Sequence, residues 1–149
     1  MAHVDLSLSD LYEADPPRGR LEGSLELWSL AAGSAQEPCV LVDSAGIVVA
    51  ASPGCGPLFG IQADDAKGRP LVDGVLRLLD FNTISGELPG WEVDKIPPLL
   101  AITTGGLARG LLRVPGIGGG ISTVDAISVP LRDGLDVVGS LTFFSLVTR

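Results

Sequence analysis

Histidine and tyrosine each occur once in the 149 residues and cysteine twice, so the side chains that most often carry chemistry are nearly absent. The histidine, His3, and the thiols of Cys39 and Cys55 are together one fewer than the four ligands of a closed structural metal site, and the histidine is remote from the thiols in sequence. Seven aromatic residues (four Phe, two Trp, one Tyr) make any pocket mainly aliphatic and leave little stacking surface for a large planar cofactor. The hydrophobic fraction is 46% and the mean hydropathy +0.41, yet Gly, Pro, Asp and Ser break the apolar runs well short of the roughly 18 residues a spanning helix requires. Basic residues are also scarce: ten against eighteen acidic ones give a net charge of -8. Those ten are scattered without a patch, which argues against nucleic-acid and anionic-membrane partners. The start, Met1-Ala2-His3-Val4-Asp5, has neither the basic residues nor the apolar stretch of a secretory leader, and a cytoplasmic location is expected.

Punctuation and periodicity organise what is present. Val4, Leu8, Leu11 and Tyr12 recur at helical spacing, with Ser7 placed to cap, and Asp15-Pro16-Pro17-Arg18-Gly19 is expected to break that helix. Leu21, Leu25, Trp28 and Ala32 then share a face of a second helix stopped by Gly33. From Pro38 the period becomes strand-like. Cys39 and Leu41 point one way and Val40 and Val42 the other, and the turn Asp43-Ser44-Ala45-Gly46 leads into a second strand at 47–51. Both faces are apolar, so both are expected to be covered, one by helices and the other by the N-terminal helix. Residues 54–60 carry too much Gly and Pro for a regular helix. A short helix at Asp64-Asp65, an apolar stretch at 75–79 and a long loop at 80–96 are expected next. Asp94 is placed to cap a helix that begins with Pro97 and Pro98 and stops at Gly105-Gly106. Strands are predicted at about 108–114, 121–131 and 137–147.

Motifs for catalysis are missing. Asp64 and Asp65 are adjacent, so on a helix they diverge rather than pair, and helix capping accounts for them better. Gly116 and Gly118-Gly119-Gly120 lack the Gly-Lys-Ser/Thr ending of a phosphate loop and are followed by a strand pattern. Cys39 and Cys55 admit two readings: a redox pair, if their Cα atoms lie within about 7 Å, or two thiols that never meet.

Four segments in order resemble the PAS domain family: Val42-Asp43-Ser44-Ala45-Gly46-Ile47-Val48 its opening hairpin, Gly68-Arg69-Pro70-Leu71 its recurrent turn, Pro98-Leu99-Leu100-Ala101-Ile102-Thr103-Thr104-Gly105 the helix before its last strands, and Val129-Pro130-Leu131-Arg132-Asp133-Gly134 through Phe143-Phe144 its closing hairpin. The resemblance implies an α/β (α+β) PAS fold, a five-stranded antiparallel sheet with helices on one face, over residues 36–149. Residues 1–35 would form an N-terminal helical cap and dimerisation segment. It also implies a signal-sensing or regulatory role without catalysis, binding a small apolar ligand or a protein partner. Many relatives carry Asn where Ser52 stands, and end with Asp-Ile-Thr where this chain has Leu146-Val147-Thr148. With no effector module expected in 149 residues, output would pass through self-association or through a kinase, phosphatase or transcription regulator.

Cofactor classes separate residue by residue. Haem-binding relatives use a histidine on the long helix, and residues 97–104 contain none. Photosensing flavin relatives use a cysteine in an Asn-Cys-Arg-Phe context that neither Cys39 nor Cys55 has. No cofactor is therefore predicted, with a noncovalently held flavin or another small organic ligand left open. The expected pocket lining is Leu100, Thr103, Thr104, Leu112, Val124, Ala126, Leu141 and Phe143, with Thr123 and Asp125 as further polar groups. Leu21, Leu25 and Trp28 are expected to form a homodimer face. A ligand-free docking scaffold and a cysteine redox sensor are the alternatives.

Overall fold

The computed structural model describes residues 17–81, 86–116 and 118–147, and the expected helix at Val4 to Tyr12 lies outside them. Helix α1 (Pro17–Ser34) begins earlier than expected. Pro17, Arg18 and Gly19 are inside it rather than breaking the chain, because a proline in the first turn gives up an N–H that has no helical partner anyway. Strands β1 (Cys39–Asp43) and β2 (Val48–Ala51) form the expected hairpin. Asp43 builds its turn: Oδ1 accepts from the backbone N–H groups of Ala45 (2.9 Å) and Ile47 (3.0 Å), and Gly46 takes φ +81°.

Residues 54–60 correct the sequence reading, for they hold a one-turn helix, α2 (Cys55–Phe59). Pro57 sits in the first turn, where it is tolerated, and Gly60 in the left-handed region ends the helix. Asp64 and Asp65 occupy the first turn of α3 (Ala63–Ala66) but do not cap it; Gln62 is the cap residue. They favour the positive helix end instead. A wide turn (Leu71–Val75) follows. The expected loop at 80–96 contains α4 (Gly90–Val93). Asp94 is the C-terminal cap of α4, and Ile96 stands before α5 (Pro97–Thr104), so the capping role assigned to Asp94 is also corrected. Proline fills the first positions of α5 and left-handed Gly105 its end, as the sequence implied.

Strands β3 (Ala108–Pro115), β4 (Ile121–Asp133) and β5 (Asp136–Leu146) complete an antiparallel sheet of order β2-β1-β5-β4-β3. The two faces carry separate cores. Val40, Val42, Leu112, Val124, Ala126 and Phe144 meet Leu71, Leu76, Leu78 and Ile96 on the side of the short helices. Cys39, Leu41, Ala50, Leu131 and Leu141 meet Ala32 and Leu25 of α1 on the other. The N-terminal helix is thus the second cover that the doubly apolar hairpin required.

Candidate functional site

The helix-facing side of the sheet is built on one strand phase. Leu112, Val124 and Ala126 are buried there in the core, and Phe144 joins them with its ring edge-on to Phe59 at 4.9 Å. Leu141 and Phe143 correct the sequence reading. They pair with Leu41 and Cys39 and point to the opposite face, where Leu141 is buried with α1 and Phe143 is 42% exposed. Apolar residues crowd both phases of β5, so alternation alone could not orient it. The doublet Phe143-Phe144 was the one signal that a phenylalanine faced inward.

Thr103 and Thr104 do not line the interior either. Both are exposed at the end of α5, with the Thr103 hydroxyl donating to the carbonyls of Leu99 (3.4 Å) and Leu100 (3.2 Å) and that of Thr104 to Leu100 (2.8 Å). Leu100 is half-buried, whereas its neighbours Leu99 and Ile102 pack on the helix-side core. Asp125 lies on the outer face, held by Arg109 through two hydrogen bonds of 3.2 and 2.6 Å. That hydrogen-bonded guanidinium keeps its carboxyl below the usual range.

Polar groups buried against the sheet are satisfied internally. Ser128 and Thr142 share a 2.6 Å hydroxyl contact, and Ser140 donates to the Pro98 carbonyl at 2.8 Å, tying α5 to β5. Ser52 closes the end of β2. Its hydroxyl donates to Glu37 O (2.6 Å) and accepts from the Cys39 N–H (2.8 Å). Cys39 and Cys55 are both free and buried, and Cys55 Sγ contacts the Cys39 carbonyl oxygen at 3.3 Å. Burial pushes both thiols up, against the opposing Ser52 hydrogen bonds. They are therefore poor nucleophiles at neutral pH.

The interior opens beside β3. A cleft of 190 Å³ lies between that strand and residues 78–97, lined by the apolar Leu78, Leu88, Ile96, Pro97 and Leu112 and also by Glu92, Lys95 and residues 109–113 of β3. On the far side of the molecule α1 displays Leu27 (69% exposed), Trp28 (42%) and Leu30 (66%). Of the expected partner face, Trp28 is available. Leu25 is taken by the chain's own sheet, and the side chain of Leu21 lies outside what is described.

A twisted antiparallel sheet of this strand order, with short helices and one longer helix gathered over one face, is a PAS fold. The solved structures agree. A PAS domain from Colwellia psychrerythraea superposes with a TM-score of 0.59 at 20% identity, covering 83% of this chain and 97% of that one. The PAS domain of a LuxR-family transcriptional regulator from Burkholderia thailandensis, solved in complex with ethanol, gives 0.53 at 15% identity over 80% and 96%. VqmA of Vibrio cholerae, described as a LuxR-type receptor, gives 0.57 at 21% identity; the match covers 83% of this chain and 51% of VqmA, about half its length. No family model and no curated protein matches the sequence.

Proposed function

We propose that this chain is a sensory or regulatory PAS module that performs no chemistry, takes a small apolar ligand through the cleft beside β3, and works as a homodimer. The observation that carries the reading is the contrast between the sheet centre, where every buried hydroxyl is already bonded within the protein, and the aliphatic cleft that opens at one edge. At 190 Å³ the cleft is smaller than the roughly 300 Å³ at which sites for drug-sized ligands begin. Its occupant is accordingly a compact molecule of few heavy atoms; the ethanol complex of the Burkholderia domain is in keeping with that size. Neither thiol lies in the cleft, so a covalent flavin adduct is no part of this reading.

Among the described residues no cluster of three His, Cys, Asp or Glu could hold a metal, and both thiols are buried. No helix of the described residues is long and apolar enough to cross a membrane. The acidic balance favours a protein partner, such as a kinase, phosphatase or transcription regulator, over nucleic acid or lipid.

Native mass spectrometry on protein purified from its own host tests the ligand. A reproducible noncovalent mass excess that is lost on denaturation is expected, and a bare polypeptide mass overturns it in favour of a docking scaffold. For the dimer, Trp28→Glu with Leu30→Glu should halve the mass in light scattering; an unchanged mass would remove α1 from the interface.

A further inference from the structure

Alternation along β3 turns Ala108, Gly110, Leu112 and Val114 toward the short helices. Three of the four bring a buried side chain, and Gly110 is the gap in the row. A glycine inside a strand usually marks a bulge, a sharp bend, or a place where another backbone or a ligand comes close. Among the described residues the first three are absent. Pairing with β4 runs without a register shift from Ala108↔Ser128 to Pro115↔Ile121, and Gly110 is not one of the glycines with positive φ. No backbone crowds it either: a Cβ at this position would meet only Pro97, 3.4 Å from Cγ and 3.7 Å from Cδ, which are ordinary contact distances.

The rest of the space that a side chain at 110 would take is therefore open, and it belongs to the cleft, which Gly110 and Pro97 line together with Leu78, Leu88, Ile96 and Leu112. The residue paired with Gly110 on β4 is small as well, the fully buried Ala126. Charge around the cleft is already matched. Lys95 pairs with Glu92 at 3.9 Å, Arg109 with Asp125 at 2.6 Å, and Arg113 donates to the Asp80 carbonyl at 2.9 Å. An ionised ligand would lose its hydration and gain no counter-charge. Size follows from the volume: a dry aliphatic cavity of about 150 Å³ takes benzene, and 190 Å³ is of that order.

We propose that Gly110 determines what the cleft accepts: an uncharged, single-ring apolar molecule lies across the bare backbone of β3 at Gly110, against Pro97, in the space that a side chain would fill. This assignment rests on the small-ligand reading above and gives that ligand its shape and charge.

The test is a titration of isotope-labelled protein with toluene, followed by amide and methyl chemical shifts. Saturable shifts at Leu78, Leu88, Ile96 and Leu112 are expected. Gly110→Ala should weaken toluene binding about tenfold by filling part of its space, with Tm unchanged or raised because a strand glycine carries an entropic cost. Gly110→Val should close the cleft to toluene; where that variant fails to fold, the alanine variant carries the test. Gly120→Ala, outside the cleft and with nothing within 4 Å of its Cβ, should bind like the wild type. Benzoate and benzylammonium should bind at least about tenfold more weakly than toluene. Equal toluene affinity in the wild type and Gly110→Ala, tighter binding of either ion, or shifts confined to residues outside the cleft overturns the proposal. Native mass spectrometry of host-purified protein separates its failure from that of the underlying reading. A mass excess lost in Gly110→Val supports both; an excess that persists in Gly110→Val overturns the role of Gly110 and leaves the small-ligand reading intact; a bare wild-type mass overturns both.

Discussion

Replacing Ser52 by alanine isolates the contribution of one buried hydroxyl. The side chain is fully buried and bridges two segments, accepting from the Cys39 N–H at 2.8 Å and donating to Glu37 O at 2.6 Å. Alanine is smaller by a single oxygen, so packing changes little. The two lost bonds are unequal. Glu37 is exposed and its carbonyl can turn to water, whereas Cys39 has no exposed surface and its N–H is left without a partner. Stranding a buried donor costs about 1–3 kcal/mol, and the exposed bond adds at most about 1 kcal/mol. The sum is about 1–4 kcal/mol, or a fall in Tm of about 3–12 °C for a domain of this size. Ser34 provides the control. Its hydroxyl also donates to a backbone carbonyl, that of Leu30 at 2.9 Å, but on the exposed side of α1, and Ser34→Ala should cost under about 0.5 kcal/mol. Calorimetric melts of the two variants decide the matter. If Ser52→Ala melts within about 2 °C of the wild type, the N–H has found another partner and the reasoning fails.

Other expectations follow from the same geometry. Phe144→Ala removes the ring that packs against Phe59 and Ala126 and should cost about 3–5 kcal/mol in denaturant unfolding, whereas Phe143→Ala, on the half-exposed outer face, should cost less than half as much. A Cβ at Gly139 would run into the Val42 carbonyl oxygen where β1 and β5 pair, so Gly139→Ala should lower Tm by about 10 °C or more or prevent soluble expression; a normal melt would show that β5 can shift. Both thiols are raised by burial above the ordinary value of 9.0. Unfolded cysteines therefore lose their protons first as pH rises, and stability should be complete below pH 9.0 and decline above it. Native protein at pH 7.5 should resist alkylation by iodoacetamide until denaturant is added, and rapid labelling would contradict the burial.

The change of period at Pro38, the Asp43 to Gly46 turn, the prolines that open α5 and the glycine that ends it were all legible because each is a local backbone requirement. The failures arise where several local solutions compete. Asp94 fits a cap, yet the capping position went to Ile96 because α4 ends at Asp94 itself. Cys55 to Phe59 forms a turn of helix despite Gly and Pro because the proline falls in its first turn. The site was less legible than the fold. Leu112, Val124 and Ala126 follow from β3 and β4, whose inward positions are buried in alternation. β5 offers apolar residues to both faces, so Leu141 and Phe143 were assigned to the wrong one. Thr103 and Thr104 suggested polar lining, but a threonine at a helix end satisfies itself on the preceding carbonyls. Leu25 was read as a partner contact because nothing local distinguishes a helix face that meets its own sheet from one that meets another subunit.

The strand order also has a kinetic consequence. β1, made early in the chain, pairs with β5 from Cys39↔Phe143 to Asp43↔Gly139, so the centre of the sheet joins segments roughly 100 residues apart. Such pairings close large loops before any contact rewards them, and folding is slow in proportion. The β4–β5 hairpin can assemble locally, but it has no inner neighbour until the first strand arrives. A nascent or truncated chain lacking β5 therefore exposes the inner edge of β1, and refolding should proceed in the range of milliseconds to seconds rather than microseconds.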